Sequence, residues 1–86
     1  MYRIIYSSQA QRDARKVNKS SLKNNIQKII EILQENPYQN PPPYEKLLGD
    51  LLGTYSRRIN IQHRLIYQIY EKEKFVKIIR MWTHYE

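Results

Sequence analysis

The sequence predicts an α+β fold: one small domain in the order β-α-α-β-β-β-β, with a twisted, antiparallel-rich sheet and a two-helix layer on one face. Three observations predict it. Leu22, Ile26, Ile29, Ile30 and Leu33 recur at the spacing of one buried helix face. Tyr55–Tyr70 reads as two runs of β-branched and aromatic residues around the polar break Asn60–His63, the pattern of a β-hairpin. A chain of 86 residues buries only roughly 60–65% of the surface it exposes when unfolded, enough for a single core.

Each element has its own local signal. Tyr2–Tyr6 carries apolar residues on both faces, which predicts a central or well-covered strand. Ser8 opens a helix, with Gln11 three residues on in a capping-box spacing. Ala10, Ala14 and Val17 form its thin apolar stripe, leaving Arg12, Asp13, Arg15 and Lys16 to water, and Asn18–Ser20 breaks it. The second helix runs from about Ser20 or Ser21 to Glu35 and stops at Asn36-Pro37. The proline-rich connector Tyr38–Tyr44 is stiff and extended, so it sets where Glu45 and its neighbours lie. A loop marked by Gly49 and Gly53 leads to the hairpin. The charged turn Glu71–Lys74 and a last strand from Phe75 to about Trp82 follow. Tyr55, Tyr67, Tyr70 and Trp82 are expected in the core or on the sheet.

Composition narrows the function. Fifteen basic residues against eight acidic ones leave +7, which favours a polyanionic partner, nucleic acid before membrane. With no cysteine there is no disulfide, thiolate metal site or cysteine nucleophile. No apolar run reaches the ~18 residues of a membrane helix, and the N-terminus lacks a signal-peptide core, so a cytoplasmic protein is expected. The acidic residues are scattered, which leaves a two-metal nuclease nothing to hold its ions; no metal or cofactor is expected. Lys16, Lys19, Lys23 and Lys28 lie along the helices, where a solvated face is the ordinary reading.

One reaction suits this inventory. RNA carries its own nucleophile, the ribose 2′-hydroxyl, so a protein needs a base near it and an acid near the leaving 5′-oxygen. It also needs cations around the phosphorane, where charge builds. Glu45, His84, Arg58 and Arg64 are the residue types required. Each has a plainer reading: an exposed carboxylate, a terminal histidine, strand arginines that only solvate. His63 reads as a turn or surface histidine.

The stretch P-P-Y-E-K-L, then L-G-T-Y-S-R-R-I-N-I-Q-H-R-L-I-Y, then a closing T-H-Y resembles the Txe/YoeB toxins of the RelE/ParE superfamily over nearly the whole chain. The resemblance implies a ribosome-dependent endoribonuclease, the toxin of a bacterial toxin–antitoxin pair, cutting mRNA in the ribosomal A site. It implies Glu45 as general base, His84 as general acid, Arg64 as the transition-state arginine and Tyr85 beside the acid. It implies Arg58 as a phosphate-binding arginine, with Arg57 as a further candidate. The family's lysine three residues after the glutamate is Leu48 here, and Lys46 is the candidate substitute; an acidic residue often seen before the hairpin His-Arg is Gln62. The implied partners are a YefM- or Axe-like antitoxin, the ribosome and mRNA; homodimers are common in the family.

Pairing across the hairpin decides which arginine joins Arg64. An odd number of residues between facing positions brings Arg58 beside it, and an even number brings Arg57. The resemblance favours Arg58. Two other functions fit the same fold: a ParE-like inhibitor of a protein target such as gyrase, and a basic RNA-binding module that cleaves nothing.

Overall fold

The structure, a computed structural model, describes residues 1–47 and 53–84, the last three as backbone. Its elements are β1 (Arg3–Tyr6), α1 (Ser8–Val17), α2 (Lys23–Glu35), β2 (Tyr44–Lys46), β3 (Thr54–Arg58), β4 (His63–Tyr70) and β5 (Phe75–His84). This is the expected β-α-α-β-β-β-β order. The sheet runs β1-β5-β4-β3-β2, with β1 parallel to β5 and every other pair antiparallel.

The core forms where the helical stripe meets the sheet. Leu22, Ile26, Ile29, Ile30 and Leu33 are all buried, together with Ala10, Val17, Leu65, Tyr67, Val76, Ile78 and Met81. Burying a side chain of this size stabilises the fold by about 1.5–3 kcal/mol each. Tyr55 and Ile69 pack against this cluster from the strands, while Tyr70 lies at the surface, stacked on Phe75.

Several local expectations are corrected. The cap of α1 is Ser7, whose Oγ accepts from the Ala10 N–H at 3.0 Å; Ser8 is already helical. α2 starts at Lys23, because Ser20 spends its Oγ on the Leu22 N–H inside the preceding turn. β1 is an edge strand with Arg3, Ile5 and Tyr6 exposed; of its apolar residues Ile4 packs on the core. Asp13 is fully buried, although helical spacing puts it among wet residues. The last strand continues beyond Trp82 to His84.

The burial of Asp13 follows from irregularities in β5. From the Arg64–Thr83 pair to the Ile66–Arg80 pair, and again to the Tyr67–Ile78 pair, β5 spends one residue more than β4. Such bulges leave backbone groups outside the ladder. Residues of α1 and its cap collect two of them: Asp13 Oδ2 accepts from the Met81 N–H at 3.1 Å, and the Ser7 hydroxyl donates to the Ile79 carbonyl at 2.8 Å. Arg80 Nε donates to the same Asp13 oxygen at 3.0 Å. Burial works to raise the Asp13 pKa, but hydrogen bonds from Gln9, Met81 and Arg80, with the Arg80 charge, outweigh it. They hold the carboxyl below its ordinary range.

Candidate active site

The hairpin register settles the arginine question. Arg58 faces Arg64 directly, with residues 59–63 between them, and Ser56 faces Ile66 two residues further along. β2 adds its own pairs: Glu45 faces Ser56, Tyr44 faces Arg57 and Lys46 faces Tyr55. Side chains alternate along a strand, so Glu45, Ser56, Arg58, Arg64 and Ile66 share one face of the sheet. The other face carries Tyr44, Lys46, Tyr55, Arg57, Leu65 and Tyr67 towards the core side.

The first of these faces holds a cleft of about 250 Å3 lined by Pro43, Tyr44, Glu45, Arg58 and Arg64. Two arginines directly opposite each other repel, a pairing that an ordinary sheet avoids. Here they stand beside a carboxylate in a concave place, the arrangement that an anionic group bridges. Arg58 and Glu45 are exposed, whereas Arg64 is buried in the sheet to 9% exposure, which holds its guanidinium stem in place. A larger hollow of about 460 Å3 opens between the two helices beside Tyr6, Arg15, Lys23 and Ile26. It gathers neither carboxylate nor histidine from the described residues, so it lacks the acid–base pair the chemistry needs.

His63 and His84 complete the frame. His63 begins β4 and is buried, not a turn or surface residue. Asn60 accounts for this: its Oδ1 takes the backbone N–H groups of Gln62 and His63 at 2.9 and 2.7 Å and lies 3.1 Å from His63 Nδ1. The turn is thereby closed over residues 59–62, and His63 is carried into the sheet. In register, His63 faces His84 and Arg64 faces Thr83. The backbone of His84 is therefore a strand position beside the arginine pair. Tyr85 and Leu48 lie outside the described residues.

Two expected site residues stand elsewhere. Lys46 is exposed one residue past Glu45, and alternation turns it to the opposite face, away from the arginine pair. Arg57 is expected to bind phosphate but is only 1% exposed. Its Nε donates to the Tyr67 hydroxyl at 2.9 Å, Nη1 to the Pro42 carbonyl at 2.6 Å, and Nη2 to the carbonyls of Pro37 and Gln39 at 3.0 and 2.8 Å. A guanidinium engaged this fully has no fork left for a substrate. Ser56 lies buried opposite Glu45 on the same face without lining the cleft, and a small hydroxyl in a strand carries no signal of its own. Among the described residues no three His, Asp or Glu side chains gather as metal ligands do.

A family model for the YoeB-like toxin of bacterial type II toxin–antitoxin systems matches residues 4–85. The chain belongs to this family. A Toxin YoeB of Synechocystis sp. is 33% identical over 69 residues, covering 80% of this chain and 78% of the relative. The YoeB of a heterotetrameric YoeB–YefM toxin–antitoxin complex from Staphylococcus aureus superposes with a TM-score of 0.83 at 30% identity, covering 99% of each chain. A YoeB/ParE toxin from Agrobacterium tumefaciens, at 22% identity and a TM-score of 0.87 over 96% of this chain and 99% of its own, shares the fold. The YoeB-like match therefore spans both helices and all of the sheet but Arg3 of β1, including the strands that line the cleft. No described helix is long and apolar enough to cross a membrane.

Proposed function

We propose that this YoeB-like toxin is a ribosome-dependent endoribonuclease that cleaves mRNA in the A site and so stops translation. The observation that carries the reading is the direct Arg58–Arg64 pair sharing one cleft with Glu45. Glu45 takes the proton from a ribose 2′-hydroxyl, and the 2′-oxygen attacks the adjacent phosphorus. The bond to the 5′-oxygen breaks, and His84 gives that oxygen its proton. The products are a 2′,3′-cyclic phosphate and a 5′-hydroxyl. Arg64 stabilises the phosphorane, a kind of contact whose loss costs on the order of 10²–10³ in rate. Arg58 holds the phosphate and Tyr85 stands beside the acid. DNA has no 2′-hydroxyl and is inert to this reaction.

The S. aureus relative was solved bound to YefM. By the same logic a cognate antitoxin neutralises this chain, its acidic segment lying over the basic surface and holding His84 or Tyr85 out of working geometry. A YoeB from the same organism was solved as a dimer, and homodimerisation is proposed here too.

The test is a translating ribosome on a defined mRNA, with new RNA ends mapped by primer extension. Cuts at the A-site codon are expected from the wild type, and none from Glu45→Ala or His84→Ala. Cuts that survive both substitutions would remove these residues from the chemistry. A folded protein that cuts nothing would point to inhibition of a protein target.

A further inference from the structure

Among the described residues Arg57 is a cation buried without a carboxylate partner. All four of its hydrogen bonds go to neutral oxygens, and the Tyr44 ring lies 4.8 Å below its guanidinium carbon. Nor is the Tyr67 partner a phenolate: burial pushes its hydroxyl up to about 12, with Arg57 drawing it the other way. A buried charge held only by neutral acceptors is costly. Its purpose is read from where the acceptors sit. Three are carbonyls of Pro37, Gln39 and Pro42, from one connector, and that connector runs straight into β2.

β2 has three residues and lies at the sheet edge. So short a strand sets its register weakly by its own ladder, and a slip of one residue exchanges its faces. A slip would put Tyr44 or Lys46 opposite Ser56 and turn Glu45 to the other face. We propose that Arg57 is a positioning residue: by tying the connector to β3 it locks the Glu45–Ser56 register and so keeps Glu45 on the Arg58–Arg64 face. The role rests on Glu45 being the general base. Lysine cannot replace it, because a single ammonium does not span four acceptors spread around a planar fork.

The experiment compares wild type, Arg57→Lys and Tyr67→Phe in ribosome-dependent cleavage, with kcat and KM separated, and in NMR spectra that read the Glu45–Ser56 cross-strand contact. Arg57→Lys is expected to lower kcat ~100-fold with KM within about threefold of wild type, the cost of a misplaced base. It should lose the Glu45–Ser56 contact while keeping those between β4 and β5. Tyr67→Phe removes one acceptor of four and is expected to lower kcat by about three- to tenfold, again at constant KM. Unchanged kcat, or an intact Glu45–Ser56 contact, in Arg57→Lys overturns the proposal. Should Arg57→Lys fail to fold, Tyr67→Phe decides alone, and an unchanged kcat there is equally fatal. If Glu45→Ala cleaves normally while Arg57→Lys loses the register, the base assignment falls and the register lock stands.

Discussion

The two flanks of the cleft are held by buried charges of opposite sign, and they are held differently. On the β2 side Arg57 grips backbone carbonyls of the connector and one phenol, with no counter-ion among the described residues. On the β5 side Asp13 collects a backbone N–H freed by a bulge, together with the Arg80 guanidinium. Both devices fasten an irregular stretch of chain whose polar groups the sheet ladder does not satisfy. They differ in what can undo them. A guanidinium stays charged at any working pH, whereas a carboxylate takes a proton in acid.

Removing the carboxylate tests the β5 flank most severely. Asp13→Ala removes the acceptor of the buried Met81 N–H and of Arg80 Nε, and is expected to cost about 3 kcal/mol in urea unfolding. A loss below about 1 kcal/mol would mean that the bulge holds itself.

Acid should separate the flanks next. The Asp13 pKa is lowered in the folded chain, so its contribution is complete above the unfolded carboxyl value and is lost as pH falls through the folded one. Stability is expected to drop below about pH 4, and Asp13→Asn should flatten that part of the profile. Equal acid slopes in wild type and Asp13→Asn would show that other carboxyls carry the effect.

The smallest effect belongs to the cleft between the flanks. Arg58 is exposed and faces another arginine, so Arg58→Ala should change stability by no more than about 0.5 kcal/mol. The same variant is expected to weaken RNA binding and reduce its salt dependence by about one counter-ion. A large loss of stability in Arg58→Ala would make it a structural residue like Arg57.

Periodicity alone exposed much of this molecule. The apolar stripe Leu22, Ile26, Ile29, Ile30 and Leu33 is buried throughout, and the hairpin stands within a residue or two of its expected place. These are local patterns, in which neighbours in the chain decide what neighbours do. The surroundings of Asp13, Arg57 and His63 are set largely by parts of the chain far from them. The acceptors of Arg57 lie up to 20 residues away, and beyond the local Gln9 the partners of Asp13, Arg80 and Met81, lie 67 and 68 residues away, outside any window of sequence. His63 has its Asn60 contact close by, but its buried place opposite His84 arises only when β4 meets β5. The edge position of β1 was hidden in the same way, since apolar residues on both faces do not say which neighbour is missing.

By itself, then, the sequence determined the element order, the helix face that builds the core, the positive charge and the YoeB-like pattern with its acid–base residue types. The tertiary structure alone decided that Arg58, not Arg57, stands beside Arg64, that Glu45 joins them while Lys46 turns away, and that β5 bulges onto Asp13. The physical reason is strand alternation. One residue of register exchanges the two faces of a sheet, and register is set by contacts between strands, which lie far apart in the chain.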